Sequence, residues 1–281
     1  MLFSGFFLAS NDALTKWLVP HYPVGEILFI QASLIALLTS SWMYLRKEAL
    51  FQFQNWRPHL YRGLLYVIGS FSFVYALHFM PLAEVVAIAF AGPLFMTLFG
   101  RFLLGETVGR HRIFAVIIGF IGVLIVIRPG TEAMHWAVFL PIIVALADAL
   151  RDIVTRTMTV RESSRRIVLT TAIILALCAA TTSVGGWEPV REVDFIWYGL
   201  SAVCFVVAHY FLVEAFRHAQ IVVVAPFKYV QLIWSILAGL LVWGEVPEPI
   251  VFVGIAVISG SGLYIAWREA LINRRRRKAS V

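Results

Sequence analysis

The sequence predicts an all-α membrane protein whose ten transmembrane helices form two inverted repeats of five helices each. Three observations support this fold class. Hydrophobic residues make up 60% of the 281 residues and charged residues only 14%, whereas a soluble domain typically has about 25% charged residues. The apolar residues form ten long runs, separated by prolines, glycines or charged clusters. The tripeptide Asp12-Ala13-Leu14 recurs as Asp148-Ala149-Leu150, each time inside an apolar run.

The length of each apolar run matches a membrane-crossing helix, which needs about 20 residues. Backbone that crosses lipid must satisfy its own hydrogen bonds, which favours helices, and these runs lack the alternation of barrel strands. Gly92-Pro93 is expected to interrupt the fourth helix, since proline cannot donate a backbone hydrogen bond. In chain order, the predicted helices cover residues 2–19, 24–45, 60–80, 83–104, 111–128, 134–154, 167–185, 195–215, 220–243 and 249–267.

Lysines and arginines lie almost entirely on one side of the predicted membrane. Because cytoplasmic loops carry the excess of basic residues in membrane proteins, we expect both termini to be cytoplasmic. The net charge of +7 is therefore a topology signal, and the tail is expected to contact anionic lipid rather than nucleic acid. The outer loops receive Arg128 and Arg191. The inner side receives Arg46, Lys47, Arg57, Arg62, Arg101, Arg110, Arg112, Arg151, Arg156, Arg161, Arg165, Arg166, Arg217, Arg268, Arg274, Arg275, Arg276, Arg277 and Lys278.

The internal repeat extends beyond the two aspartates. Residues 76–106 align without gaps on residues 215–245, and both segments end in Gly-Glu. The fifth helix of each half carries a pair of small residues suited to close helix contact, Ala115/Gly119 and Ala256/Gly260. We therefore divide the chain into a first repeat (1–130), a second repeat (131–268) and a basic cytoplasmic tail (269–281).

An odd number of helices in each half requires the second half to insert with the opposite orientation. Inverted repeats place a substrate site near the membrane midplane and allow the two halves to rock around it. This pattern predicts a secondary transporter. A channel and an intramembrane enzyme are the rival classes. The sequence has no HExxH or GxSxG motif and no nucleotide-binding loop, so we expect neither enzymatic activity nor a cofactor.

Charged residues inside the predicted helices are the first candidates for the substrate site, because they are costly at membrane depth. Asp12 and Lys16 are four residues apart and can pair on one helix face. Their pair either locks helix packing or contributes to the site. Asp148 has Arg151 and Asp152 within one turn, and we expect the latter two to lie nearer the inner surface and reach towards it.

Other candidates combine a cation with aromatic groups. Lys228 and Tyr229 follow Pro226, where a kink would expose backbone carbonyls. They could bind a carboxylate or an aromatic substrate, or simply line a kink. Tyr66 and Trp234 lie near mid-membrane, where they either stack on a planar substrate or pack in the core.

Several short segments resemble the EamA family of the drug/metabolite transporter superfamily. They are Arg62-Gly63-Leu64, Leu104-Gly105-Glu106 and Gly119-Phe120-Ile121-Gly122. Residues 11–16 and 225–229 are similar to the branch that contains S-adenosylmethionine and riboflavin uptake carriers. The resemblance covers nearly the whole chain and implies a bacterial inner-membrane carrier of metabolites such as amino acids and their derivatives. Some members are exporters, so the direction of transport stays open.

The substrate expected from these residues is a zwitterionic or planar amphipathic metabolite, since carboxylates, ammonium groups and aromatic rings occur together. Proton coupling through Asp12 or Asp148 and a homodimer are both compatible with the sequence. The scattered histidines predict no metal site, and no nucleic acid partner is expected. Glu106 and Glu245 end matching helices and are interpreted as helix-end residues, with gating as the alternative.

Overall fold

The computed structural model describes residues 2–104, 109–130, 135–159, 162–218 and 221–279. Throughout these ranges the regular secondary structure is helical, without strands. The α-helices are α1 (Leu2–Leu18), α2 (Val24–Leu45), α3 (Trp56–Ala76), α4 (Leu82–Ala89), α5 (Gly92–Leu104), α6 (Arg110–Ile127), α7 (Phe139–Met158), α8 (Ser164–Ala180), α9 (Asp194–His218), α10 (Ile221–Trp243) and α11 (Pro249–Ala279). Short 3₁₀ helices at Trp136–Val138 and Thr181–Gly185 precede α7 and follow α8.

The starts of several helices follow from local sequence. Pro23 and Pro81 are the N-cap residues of α2 and α4, and their fixed φ suits entry into a helix. The side chain of Asn55 caps α3, and Ser163 caps α8 by accepting a hydrogen bond from the Arg166 backbone N–H. Such caps satisfy backbone donors that the first turn of a helix leaves free.

Helices α4 and α5 are two parts of one apolar segment. α4 ends at Ala89, and the chain resumes as α5 at Gly92 after Phe90 and Ala91. The missing N–H of Pro93 removes the hydrogen bond that the Ala89 carbonyl would otherwise accept. The predicted interruption is therefore confirmed, and the described helices form ten segments, as the sequence predicts.

Five described segments are long and apolar enough to cross a membrane: Val24–Leu45, Leu82–Phe99, Arg110–Ile127, Ser164–Gly185 and Asp194–Ala215. Shorter apolar stretches occupy Val230–Trp243 and Pro249–Ile265. The last helix continues to Ala279, well beyond its predicted end at residue 267. Most of the basic tail is thus helical. The change from apolar to basic composition after residue 267 did not indicate that the helix continues.

Most of the main helix contacts join a helix of the first half of the chain to a helix of the second half. Helix α1 contacts α9 and α10, while α7 contacts α3 and the α4/α5 pair. Helix α2 packs on α8 and α9, and α3 also packs on α8. Helices α6 and α11 form a pair at one edge, where α11 also contacts α10. Large apolar side chains remain exposed around the bundle, among them Leu37, Phe114 and Leu177 at 61%, 65% and 66%, as expected for a surface that faces lipid.

Glycines bring α6 and α11 into close contact. A Cβ on Gly122 would lie 2.9 Å from the backbone nitrogen of Ile258 and 3.0 Å from the carbonyl oxygen of Gly254. The close contact on α11 therefore centres on Gly254 and Ile258. The prediction that Gly260 makes such a contact is wrong, since a Cβ there would meet nothing within 4 Å. The neighbouring Ser261 makes the contact instead, since a Cβ on Gly119 would lie 2.5 Å from its hydroxyl oxygen.

We predict that Gly122→Ala destabilises the protein by about 1–3 kcal/mol, the usual cost of overpacking, because the added methyl group meets backbone atoms that cannot rotate away. Gly199→Ala in α9 is the matched control, since a Cβ at Gly199 has open space. Thermal unfolding of both variants in the same detergent measures the difference. Equal midpoints for Gly122→Ala and the unmodified protein would contradict this packing.

Candidate functional site

A cavity of about 170 Å³ lies between the helices in the middle of the bundle. Its walls come from α1, α2, α3, α7, α8, α9 and α10, together with α4, α5 and the break between them. That break contributes Phe90, Gly92 and Pro93 to the wall, so the proline interruption helps to form the cavity. The polar lining residues are Asn11, Asp12, Thr15, Gln31, Tyr66, Ser70, Asp148, Arg151, Asp152, His209 and Gln231.

Asp12 faces this cavity from α1 and is 8% exposed. The side-chain amide of Gln231 in α10 donates a hydrogen bond of 2.7 Å to its Oδ2 atom. Among the described residues no lysine or arginine forms an ion pair with Asp12. The predicted pairing with Lys16 is wrong, because the Lys16 ammonium group has a different carboxylate partner.

Lys16 lies one turn further along α1 and points away from the cavity lining. Its Nζ atom forms an ion pair with Oε1 of Glu245 and lies 5.2 Å from the centre of the Trp243 ring. The second carboxylate oxygen of Glu245 accepts a hydrogen bond from the Leu82 backbone N–H at 3.2 Å. Glu245 therefore connects α1 with the start of α4. We call this group, Lys16, Glu245 and Leu82, the end latch.

Asp148 reaches the cavity from α7, and its charge is paired locally. The Arg151 guanidinium group lies 2.6 Å from Oδ1 of Asp148 and 3.0 Å from Oδ1 of Asp152. Arg151 and Asp152 are 6% and 2% exposed and line the cavity. The expectation that these two reach towards the membrane surface is wrong, since three interacting charges satisfy one another in the bundle interior.

Arg62 is a buried cation that sequence analysis assigned only to the inner surface. It is 3% exposed. Its Nε atom donates a hydrogen bond of 2.8 Å to Thr155 of α7, and another guanidinium N–H bonds to Thr171 of α8. The position of Arg62 near the start of α3 suggests a residue at the membrane interface. The two threonines that accept its hydrogen bonds come from distant parts of the sequence.

Neutral polar side chains complete the α1–α2–α9 wall. The Gln31 amide donates to Ser201 at 2.7 Å and to Thr15 at 3.0 Å. Ser201 in turn donates to the side-chain oxygen of Asn11 at 2.9 Å. Sequence analysis missed Gln31, Ser201 and Gln231. The available signal was a glutamine inside an apolar run, since an amide is expensive in lipid unless it is hydrogen-bonded.

Aromatic rings form the wall opposite the break. The rings of Phe205 and His209 are stacked, with centroids 4.0 Å apart and planes at 22°. Tyr66 meets both rings edge-on, each at 5.8 Å. Trp234, the other aromatic candidate from the sequence, lies apart from these rings. Trp234 is 39% exposed, packs edge-on against Phe6 at 5.1 Å and is absent from the described cavity lining.

The structure therefore brings together three of the predicted site residues, Asp12, Tyr66 and Asp148, and adds Arg151, Asp152 and Gln231. Lys16 and Trp234 lie outside the cavity lining. The side chains of Lys228 and Tyr229 lie outside the described part of the chain, as does Glu106. The backbone of α10 is helical through Pro226. Within the described residues, no group of three or more histidine, cysteine, aspartate or glutamate side chains could hold a metal ion.

Ion pairs also connect side chains at the end of the bundle where α2 and α9 finish and α8 begins. Arg165 forms a bidentate pair with Glu48 and lies 5.1 Å from the Trp42 ring. Arg166 donates to Glu162 at 2.8 Å. Burial alone would raise the pKa of the Glu162 carboxyl group, but hydrogen bonds from Arg166 and the Gln54 backbone N–H hold that pKa below its usual range.

A cavity with polar lining residues inside a bundle of ten helical segments is compatible with a membrane transporter, and the comparisons with known proteins agree. Residues 1–128 match the EamA-like transporter family. A riboflavin transporter of Brucella anthropi is 30% identical over 223 residues, which cover 77% of this chain and 78% of that protein. The chain belongs to the EamA-like transporter family and is a multi-pass membrane protein that transports small metabolites.

Other relatives differ in what they carry. An S-adenosylmethionine uptake transporter of Rickettsia prowazekii is 26% identical, over 92% of this chain and 88% of that protein. A pseudopaline exporter of Pseudomonas aeruginosa is 24% identical, over 89% of each chain. A solved crystal structure shares the fold over 95% of this chain and 96% of its own, with a TM-score of 0.70 and 16% identity.

We predict that Glu245→Gln destabilises the protein by about 2–3 kcal/mol, because it leaves the buried Lys16 ammonium group without a charge partner. The loss is smaller than for a fully buried pair, since the Glu245 side chain is 24% exposed. The double variant Lys16→Met/Glu245→Gln should recover part of the loss. Unfolding in a denaturing detergent series measures all three proteins, and additive losses in the double variant would contradict the latch.

Proposed function

We propose that the chain carries a small zwitterionic or planar amphipathic metabolite through this cavity by alternating access. The observation that carries the proposal is the difference between the two aspartates. Asp148 is neutralised by Arg151, whereas Asp12 accepts a hydrogen bond from a neutral amide and has no ion pair among the described residues. A buried carboxylate in that situation favours a cation. The positive group of the substrate would supply it.

The remaining walls suit the rest of such a substrate. The edges and faces of Tyr66, Phe205 and His209 can pack against a planar ring. The Arg151 guanidinium group between its two aspartates can bind a carboxylate once one of them moves. Names of relatives support this class, because S-adenosylmethionine carries a cation and a ring, and riboflavin a planar ring.

The small volume of the cavity supports the proposal that the helices are in a conformation with little room for a substrate. Ligand pockets usually measure roughly 300–1,000 Å³, whereas this cavity measures about 170 Å³. The end latch and the Arg165–Glu48 pair lie at helix ends on either side of it. We infer that a substrate enters after one of these ends opens and leaves after the other does.

The helix contacts support the proposal that residues 1–130 and 131–268 are inverted repeats. The two main α1 contacts have counterparts at α7: α1 with α9 corresponds to α7 with α3, and α1 with α10 to α7 with α4/α5. In the pairs α2 with α8 and α6 with α11, the two helices occupy equivalent positions in the two halves, so each pair is its own counterpart. A two-fold relation between the halves would produce this set of contacts and would allow them to exchange roles.

Direction and energy coupling are separate parts of the proposal. The uptake and export relatives make both directions candidates, and one vesicle assay with substrate on either side distinguishes them. Asp12 could also carry a proton when no substrate cation is present, since ionisable groups inside membranes commonly serve as proton relays. Counterflow, in which external substrate accelerates the exit of internal substrate, separates a carrier from a channel.

We predict that Asp12→Asn weakens binding of cationic substrate about 30-fold, the equivalent of about 2 kcal/mol for a lost charged hydrogen bond. Asp148→Asn should weaken it less, because Arg151 remains paired with Asp152. Exposed Glu192→Gln is the control for a carboxylate-to-amide change. Counterflow of S-adenosylmethionine, riboflavin and a panel of amino acids in proteoliposomes across a pH series gives the result.

Two outcomes of this assay would contradict the proposal. Equal transport by Asp12→Asn and the unmodified protein, for a substrate that the protein does carry, would remove Asp12 from the site. Flux without counterflow would indicate a channel. Loss of pH dependence in Asp12→Asn, with counterflow retained, would support proton coupling at this residue.

We also propose that the chain lies in the bacterial inner membrane with both termini in the cytoplasm. This orientation predicts that a single cysteine at Arg191, whose side chain is 57% exposed, reacts with an impermeant reagent added outside intact cells. A cysteine at the exposed Arg156 should react only after the cells are opened. Both variants require prior replacement of the free Cys178 and Cys204. The reverse labelling pattern would invert the topology.

A further inference from the structure

A groove on the outer surface of the bundle lies between α6 and α11. It encloses about 350 Å³ and is lined by His111, Phe114, Ala115, Ile118, Gly260, Ser261 and Tyr264. The groove begins beside the close contact at Gly119, where a Cβ would lie 2.5 Å from the Ser261 hydroxyl oxygen. Gly260 leaves it open, since no atom lies within 4 Å of the place where a Cβ would be.

The walls of the groove are apolar and accessible from the membrane. Phe114 and Ile118 are 65% and 50% exposed, and Tyr264 is 37% exposed. Helices in lipid gain little from the hydrophobic effect, so a gap between them is filled by whatever packs best against it. A mainly apolar groove between two helices fits a hydrocarbon chain.

One end of the groove is basic. Arg110 is exposed and precedes Phe114 by one turn, so both lie on the same side of α6. Arg268 follows Tyr264 by one turn on α11, with His111 at the groove end between them. Within the described residues, neither Arg110 nor Arg268 is held in an ion pair. The helix continues with the basic sequence Arg274–Lys278.

We propose that this groove binds one anionic phospholipid, with an acyl chain along Phe114, Ile118 and Gly260 and the phosphate at Arg110 and Arg268. Charge complementarity selects the occupant. Two guanidinium groups that form no ion pair among the described residues attract an anionic headgroup at the membrane surface, and the apolar groove would continue from them into the hydrocarbon region. A zwitterionic lipid would fill the same groove with less electrostatic gain. The site is separate from the central cavity, because α6 and α11 contribute no residue to that cavity's described lining.

The test uses the purified full chain and two lipid probes, phosphatidylglycerol and phosphatidylcholine, titrated in detergent and counted as bound lipid by native mass spectrometry. The unmodified protein should retain one phosphatidylglycerol in preference to phosphatidylcholine. Arg110→Gln and Arg268→Gln should each reduce that preference roughly fivefold. Arg156→Gln, an exposed arginine at the end of α7, is the charge control and should leave the preference unchanged.

A second pair of variants tests the apolar part of the groove. Gly260→Leu places a side chain in the open space and should abolish retention of the bound lipid, whatever its headgroup. Gly199→Leu adds the same side chain on α9, also in open space, and should leave retention unchanged. Thermal unfolding in lipid-free detergent checks that both variants are folded.

Three results would overturn the proposal: equal retention of the two lipids by the unmodified protein, unchanged lipid retention in Gly260→Leu, or a dimer that forms through this groove and disappears in Gly260→Leu. The last result would assign the groove to a second copy of the chain. Substrate counterflow by the same variants in proteoliposomes keeps this test independent of the proposed transport site.

Discussion

Charged side chains inside an apolar helix bundle are the constraint on which the rest of this structure depends. Each such charge is costly in lipid unless another group compensates it. Arg151 forms ion pairs with both Asp148 and Asp152, and Glu245 forms one with Lys16. Asp12 receives a neutral amide from Gln231 instead. Asp12 therefore differs from Asp148 in having no cationic partner among the described residues, and the proposed substrate cation would supply one.

The same polar contacts join helices that are distant in sequence. Glu245 links the end of α10 to α1 and to the start of α4, and Arg62 links α3 to α7 and α8. A change in the spacing of these helices must break or replace those contacts. The proposed alternating access would therefore have to rearrange these contacts.

The sequence predicted the class of fold well, because apolar length and proline positions are local signals. The ten segments and the interruption beside Gly92-Pro93 follow from them. The partners of charged residues were predicted poorly. Lys16 was expected to pair with Asp12 four residues away, whereas its partner Glu245 is 229 residues distant. Trp234 was placed in the site by its depth alone, which does not reveal the face of α10 on which it lies. Gln31 and Gln231 became recognisable as site residues only when packing brought them to Asp12 and its neighbours.

The central claim is that substrate binds at Asp12 inside the cavity. Modification of carboxyl groups by a hydrophobic carbodiimide, located by mass spectrometry of peptides, tests it most directly. S-adenosylmethionine, riboflavin and amino acids serve as probes, and the transported ones are identified first by counterflow. The account predicts that a transported probe protects Asp12 from modification and leaves the exposed Glu192 unprotected. Unchanged modification of Asp12 at saturating concentrations of a transported probe would contradict it.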